Sequence, residues 1–178
     1  GVAGGLGEDV RVGDVVIAND LLQHDMDASP LFPRHEVPLY GRARFETDGD
    51  LTGQLALAAR QVLGDAARHL GRETVTQFDL SHPQTHQGLV ISGDRFVATS
   101  AESQALRQAL PDALAVEMEG AAVAQVCHDY RVPFTAVRTI SDRADDEAHT
   151  DFSRFIREVA SRYSLAILSQ WLRSRQPS

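Results

Sequence analysis

The chain has 178 residues, a hydrophobic content of 43% and a formal net charge of −8, which suits a single domain that buries a sizeable core without disulfides or metals. The acidic balance argues against a general attraction to nucleic acid or to anionic membranes, and there is no run of about 18 apolar residues that could cross a bilayer. All 17 basic residues are arginines, which excludes mechanisms that need a lysine, such as P-loop phosphate binding and Schiff-base chemistry.

From this composition we expect a cytoplasmic protein with no nucleic-acid and no membrane partner. Residues 1–7 contain four glycines, which is typical of a tight turn and matches neither the dinucleotide nor the P-loop fingerprint. Such a turn normally follows a strand, and the chain does not begin with methionine. We therefore expect residues 1–178 to form one domain that is the C-terminal portion of a longer one.

The next elements follow from β-branched runs and helical spacing. Residues 14–18 predict a strand that ends before Asn19-Asp20. Residues 23–50 carry three prolines and are too irregular for a regular element and too long for a simple connector, so we expect a functional or interface loop. The apolar spacing of residues 51–64 predicts a helix that ends near Gly64.

Strands and helices alternate in the second half of the chain. Strands are predicted at residues 88–91, 114–116 and 134–140, and helices from Thr99 to Pro111, from Glu119 to about Tyr130, and from about Asp151 onward. Thr99 and Glu102 have the spacing of a capping box. Cys127 is expected to be a small buried thiol. The last helix carries one predicted apolar stripe: Phe152, Phe155, Ile156, Val159, Tyr163, Ile167 and Trp171. The alternation predicts an α/β layered domain with a mixed sheet.

Two segments stand out because each is an apolar run that stops at carboxylates. Residues 115–124 contain Glu117 and Glu119, and residues 134–142 end at Asp142. We expect these acids at the ends of two adjacent strands, where α/β proteins place polar chemistry. Acids at the start of a helix also complement its dipole, so a structural role for the two glutamates stays open.

Arg138 lies inside the second of these segments, within a predicted strand. A buried arginine requires an anionic partner or a hydrogen-bond network. Glu119 is the candidate partner. A purely structural salt bridge explains Arg138 as well as a catalytic role does.

The two segments resemble those of the nucleoside phosphorylase superfamily, and within it the 5'-methylthioadenosine/S-adenosylhomocysteine nucleosidases; the resemblance covers nearly the whole chain. It implies a nucleoside-phosphorylase-like three-layer αβα fold with a mixed central sheet, no cofactor, and a homodimer in which the loop of residues 23–50 reaches the neighbouring pocket. The implied reaction is hydrolysis of the N-glycosidic bond of methylthioadenosine and adenosylhomocysteine, a step of methionine salvage. Alternatives are a phosphorolytic purine nucleoside phosphorylase, a 6-amino-6-deoxyfutalosine hydrolase, or an inactive nucleoside-binding fragment.

The resemblance also implies roles for the polar residues. Asp142, with Ser141 beside it, would protonate or hydrogen-bond N7 of the departing adenine, and Glu119 would accept hydrogen bonds from the ribose hydroxyls. Arg138 would orient the attacking water. The family's catalytic glutamate would lie upstream of Gly1, so we expect the 178-residue chain alone to turn over poorly.

The remaining expected site residues line the nucleoside pocket by the same resemblance. Phe96 would stack on adenine while the main chain of Val97 recognises its edge. Core packing is the alternative for Phe96, and equally for Phe152, which would close the sugar pocket. Ala3 and Gly4 would line the pocket, Met118 would pack on the sugar, and Glu117 is a further binding residue.

A metal site is not expected. Acidic residues and a histidine follow the last predicted strand: Asp142, Asp145, Asp146, Glu147 and His149. Their spacing lacks the alternation and glycine of a calcium loop and the paired histidines of a zinc site.

Overall fold

The computed structural model describes residues 1–144 and 152–175. The elements in this part of the chain are β1 (Val2–Gly5), β2 (Val15–Gln23), β3 (Arg44–Glu46), α1 (Gly49–Leu63), α2 (Ala66–Leu70), α3 (Arg72–Gln77), β4 (Thr85–Ser92), α4 (Ser100–Ala109), β5 (Ala113–Glu117), α5 (Gly120–Asp129), β6 (Val137–Asp142), α6 (Phe152–Phe155) and α7 (Ser161–Ser174). A π-helical turn (Ile156–Ala160) joins α6 to α7.

The strands form one mixed sheet in the order β3-β2-β4-β5-β1-β6. Strands β2, β4 and β5 are parallel, β1 is antiparallel to β5, and β1 is parallel to β6. Strand β6 also pairs with β2, which closes the five strands other than β3 into a ring. The expected α/β fold with a mixed sheet is confirmed.

The sheet carries helices on both faces because its strands alternate their side chains. Val15 and Ile17 of β2 pack with α1 and the last helix. The intervening Val16 packs on the opposite face, with Ala121 and Ala124 of α5. Small alanines bring α5 close to the sheet, so its N-terminus lies at the end of β5.

The prediction of a turn at residues 1–7 is wrong, because β1 is an interior strand between β5 and β6. Its glycines serve close packing. A Cβ on Gly4 would lie 2.8 Å from the Cβ of Ala144 and 3.0 Å from Oδ1 of Asp142. The high glycine content indicated a flexible turn. In the fold, the glycines are needed because they have no side chain and so allow neighbouring atoms to pack against the strand.

The expectation that the two acidic segments end adjacent strands is also wrong. Strand β1 separates β5 from β6, and these two strands run antiparallel to each other. The register nevertheless places Val116 of β5 and Asp142 of β6 on either side of Gly4. The acidic segments therefore meet across β1.

Several boundaries differ from those predicted. Strand β2 continues through Asn19-Asp20, with an irregularity in its pairing between Ala18 and Asp20, and β6 begins three residues later than expected. The irregular segment after β2 contains the unpredicted β3, and α2 and α3 were also missed. Short or interrupted elements such as these depend on their neighbours rather than on local pattern.

Helix capping was predicted more accurately. The Thr99 side chain accepts a hydrogen bond from the main-chain N–H of Glu102, and α4 ends at Ala109, before Pro111. Helix α1 ends with Gly64 as its C-cap. These signals involve residues a few positions apart, so the sequence contains all of them.

The last helix follows its predicted stripe except at one position. Phe155, Val159, Tyr163 and Ile167 are buried, but Ile156 is 37% exposed because it lies in the π-helical turn, which shifts the helical phase. The predicted start near Asp151 lies outside the described residues.

Two other expectations concern single features of the chain. Cys127 is half-buried rather than buried. No helix within residues 1–144 and 152–175 is long and apolar enough to span a bilayer.

Candidate active site

A cavity of about 340 Å³ opens where β1, β5 and β6 meet the loop after β4. Its size is in the range of small-molecule sites. It is lined by Gly1, Val2, Ala3, Gly4, Arg95, Phe96, Val97, Val116, Glu117, Met118, Glu119, Ser141, Asp142 and Phe152. Every expected site residue except Arg138 is in this lining, and Arg138 binds Glu117 behind the wall. The structure thus brings the set together, while their roles stay predictions.

Glu117 is the buried centre of the polar wall. It is the last residue of β5, and its side chain is 2% exposed. The carboxylate accepts hydrogen bonds from the Ser92 hydroxyl, from Gly120 N at 2.8 and 2.9 Å, and from Glu119 N at 3.2 Å. The last two donors belong to the start of α5, where free N–H groups favour an anion.

Burial by itself raises the pKa of the Glu117 carboxyl. The hydrogen bonds from Ser92, Arg138 and Gly120, together with the positive charge of Arg138, outweigh that penalty, so the pKa of Glu117 lies below its ordinary value of 4.5. The site therefore holds Glu117 as an anion near neutral pH.

Arg138 pairs chiefly with Glu117, and the expected pairing with Glu119 is the longer of its two ion pairs. Its Nη2 lies 2.5 Å and its Nε 3.1 Å from Oε2 of Glu117, whereas Nη2 is 3.9 Å from Oε2 of Glu119. The reason is the position of the helix start. Glu119 is the N-cap of α5, not its first residue, and its side chain is 72% exposed, so only Glu117 points inward from the strand.

Glu119 and Met118 form the accessible part of this wall. Met118 is 41% exposed and lines the cavity together with the Glu119 side chain. One segment therefore presents a buried, fully bonded carboxylate at Glu117 and an exposed carboxylate two residues later. The exposed one is available to a ligand.

Asp142 lies on the other side of β1, and the residue is 6% exposed. Its Oδ2 accepts a hydrogen bond from Ser141 Oγ at 2.7 Å, and its Oδ1 accepts one from Ala144 N at 2.8 Å. A Cβ on Gly4 would lie 3.0 Å from Oδ1, so glycine at this position makes room for the carboxyl group. Asp142 therefore presents a carboxyl group of defined orientation to the cavity.

An apolar wall faces these acids. Phe96 lines the cavity and is 43% exposed, and Val97 beside it is buried. Phe96 is therefore accessible at the cavity, and its stacking on adenine stays a prediction. Phe152 contributes from the start of α6 and is half-buried.

Sequence reasoning missed two polar residues at or behind the cavity wall. Arg95 lines the cavity and forms an exposed ion pair with Glu102 at 3.1 Å. Ser92 lies behind the wall and binds Glu117. Ser92 ends a strand parallel to β5, and a polar residue at a buried strand end is the signal that could have identified it.

Within residues 1–144 and 152–175, no cluster of three histidine, cysteine, aspartate or glutamate side chains could hold a metal ion. The residues weighed for such a site, Asp145, Asp146, Glu147 and His149, lie outside the described residues. The polar groups of the cavity are carboxyl groups and an arginine around an apolar slot. Such a cavity suits a small ligand with a flat apolar part and polar groups at its other end.

Comparison with known proteins agrees with this geometry. The family model described as "Phosphorylase superfamily" matches residues 1–173. A 5'-methylthioadenosine/S-adenosylhomocysteine nucleosidase from Neisseria meningitidis, solved with methylthio-immucillin-A, is 35% identical with a TM-score of 0.79; the match covers 98% of this chain and 67% of that one.

Two further solved structures are similar. An S-adenosylhomocysteine nucleosidase from Streptococcus pyogenes, in complex with 5-methylthiotubericidin, is 31% identical with a TM-score of 0.75, over 99% of this chain and 66% of that one. The Helicobacter pylori MTAN-D198N mutant, with 5'-methylthioadenosine in the active site, is 31% identical with a TM-score of 0.74, over 96% and 65%. The chain thus spans about two thirds of the length of these structures.

Proposed function

Since the chain belongs to the phosphorylase superfamily, we propose that the protein hydrolyses the N-glycosidic bond of 5'-methylthioadenosine and S-adenosylhomocysteine, releasing adenine and a 5-thio-substituted ribose. The observation that carries the proposal is the placement of Asp142 and Glu119 on either side of β1 in one cavity with the aromatic wall of Phe96. The ligands in the similar nucleosidase structures support the substrate class.

The leaving group explains the need for Asp142. Adenine is a poor leaving group as an anion, and a proton delivered to N7 lets it depart neutral. In the proposed binding mode, N7 lies at the Asp142 carboxyl and the purine stacks on Phe96. Asp142 donates its proton as the bond to the sugar breaks, and the Ser141 hydroxyl, 2.7 Å away, stabilises the carboxylate that remains.

The sugar acquires oxocarbenium-like positive charge as the bond breaks. Glu119, exposed at the cavity, is positioned to accept hydrogen bonds from the ribose hydroxyls and adds negative charge close to that cation. Arg138, bound to Glu117 behind the cavity wall, helps to orient the attacking water through that carboxylate. The proton released by that water goes to a base that we do not assign among the described residues.

The pairing of the arginines favours hydrolysis over phosphorolysis. Phosphate binding needs cationic or N–H donors aimed at the anion. Among the described residues, Arg95 in the cavity lining and Arg138 behind it each have a carboxylate partner, Glu102 and Glu117 respectively. Neither arginine can bind an inorganic anion without competing with a carboxylate, which supports hydrolysis.

The decisive experiment measures adenine release by protein expressed from its complete reading frame, in phosphate-free buffer and then with phosphate. Equal release in both buffers, with a free thioribose as product, is the expected result. Release that depends on phosphate and yields a sugar 1-phosphate would show a phosphorylase. Binding without turnover would show a nucleoside-binding protein, and turnover of 6-amino-6-deoxyfutalosine in preference would redefine the substrate.

We also propose that the protein is a cytoplasmic homodimer that acts in methionine salvage. The segment between β2 and β3 supports a subunit contact, because Leu31 is 83% and Leu39 is 92% exposed there. Light scattering coupled to size exclusion tests it. A monomer at micromolar concentration would contradict the dimer.

A further inference from the structure

Ser92 is buried behind the cavity wall, where three elements meet. It is the last residue of β4 and is 3% exposed. Its Oγ accepts a hydrogen bond from Ala121 N, in the first turn of α5, at 2.8 Å. Because that N–H can only donate, the single hydroxyl proton of Ser92 points to Oε1 of Glu117.

The Glu117 carboxylate uses its acceptor capacity fully. Oε1 binds Ser92 and Gly120 N, and Oε2 binds Gly120 N, Glu119 N and two nitrogens of Arg138. Of these donors, Ser92 is the one side chain other than Arg138. Removing its hydroxyl leaves Oε1 with one main-chain donor, at a position where the Glu117 side chain is only 2% exposed.

We propose that Ser92 is a positioning residue of the reaction: its hydroxyl holds the Glu117 carboxylate in the orientation that binds Arg138 behind the cavity wall. This inference rests on the proposed function. Ser92 itself lines no part of the cavity described above, so it acts through Glu117 and Arg138.

A clear consequence follows for Arg138. When Glu117 loses its orientation or takes up a proton, Arg138 has an alternative carboxylate at Glu119, 3.9 Å away. Pairing with Glu119 would occupy the group proposed to bind ribose. Loss of the Ser92 hydroxyl thus weakens riboside binding and also disturbs the water that Arg138 orients.

The pH dependence separates this role from a packing role. The hydrogen bond from Ser92 is among the causes that lower the pKa of Glu117. Without it the pKa of Glu117 rises, and the ionised carboxylate is lost at a higher pH. A serine that only fills space would change stability without moving the acidic limb of the pH profile.

The test compares kcat/KM against pH for the wild type, Ser92→Ala, Ser92→Cys and Ser92→Thr. We expect the acidic limb to move up by about one pH unit in Ser92→Ala and Ser92→Cys, the scale of one hydrogen bond to a charged group. Ser92→Thr retains the hydroxyl and keeps the limb in place. The control Ser103→Ala removes another buried serine hydroxyl, which bonds to Ser100 O, and leaves the limb unmoved.

An acidic limb of Ser92→Ala and Ser92→Cys that coincides with that of active wild type would overturn the inference. Absence of adenine release by the wild type would instead overturn the proposed function. In that event the same proteins are titrated calorimetrically with the 7-deaza analogue of 5'-methylthioadenosine, from about pH 4 to about pH 7. The affinity of Ser92→Ala should then fall off at a pH about one unit higher than that of the wild type, and coincident curves would refute the role of Ser92.

Discussion

Replacing Glu117 and Glu119 one at a time by glutamine separates the two carboxylates of the cavity wall. The two residues are two positions apart and both lie near Arg138, but the Glu117 side chain is 2% exposed and that of Glu119 is 72% exposed. We expect Glu117→Gln to reduce stability strongly. We expect Glu119→Gln to leave stability almost unchanged and to weaken the binding of ribosides.

The magnitude follows from burial and hydrogen bonding. Glu117→Gln leaves Arg138, 17% exposed, without its counterion and turns an amide nitrogen toward existing donors. Breaking such a buried pair costs about 3 to 5 kcal/mol, which for a chain of this size lowers the melting temperature by at least about 6 °C. Exposed pairs contribute less than about 1 kcal/mol, which sets the limit for Glu119→Gln.

The pH dependence of stability provides a second test of Glu117→Gln. Because the pKa of Glu117 is depressed below 4.5, its stabilising contribution is complete above pH 4.5 and is lost as the pH falls through the folded-state pKa. The stability gap between the wild type and Glu117→Gln should be widest near neutral pH and should close below pH 4.5.

Circular dichroism melts across pH measure the stability of both variants. Calorimetry with adenine and with the 7-deaza analogue of 5'-methylthioadenosine measures binding. Glu119→Gln should lower the affinity for the riboside and leave the affinity for adenine almost unchanged. Equal melting temperatures for the two variants, or equal losses for both ligands in Glu119→Gln, would refute the reasoning.

Three further predictions test other parts of the site. Asp142→Asn keeps the size of the side chain but loses its acidic proton, so kcat should fall about a hundredfold or more with folding intact; near-normal turnover would contradict the role of Asp142. Phe96→Ala removes the aromatic ring on which adenine would stack and should lower the affinity for adenine roughly tenfold in calorimetry. Unchanged adenine affinity would argue against stacking. Gly4→Ala introduces a methyl group 2.8 Å from the Cβ of Ala144 and should lower the free energy of unfolding by about 1 to 3 kcal/mol, measured by thermal unfolding. The control Gly53→Ala lies in α1 with nothing within 4 Å and should be neutral or stabilising. Equal effects of the two variants would exclude tight packing at Gly4.

Local signals in the sequence identified much of the molecule. The capping residues of α4 and the apolar spacing of α1 and of the last helix predicted those helices, because partners three or four positions apart decide them. The acidic segments at Glu117 and Asp142 carry the resemblance to the nucleoside phosphorylase superfamily, and that resemblance implied most of the residues that line the cavity. From the residues alone, the apolar runs that stop at carboxylates indicated only where polar chemistry would lie.

Long-range pairing decided the rest. Val2–Gly5 form an interior strand only because β5 and β6 pair with them on both sides, and a glycine-rich segment carries no sign of such partners. The choice of Glu117 as the partner of Arg138 depends on a helix start one residue later than expected and on the register across β1. A shift of one residue in a strand turns a side chain to the other face, so the pattern of residue types along the chain can name the acids of the site but cannot say which of them is buried against Arg138.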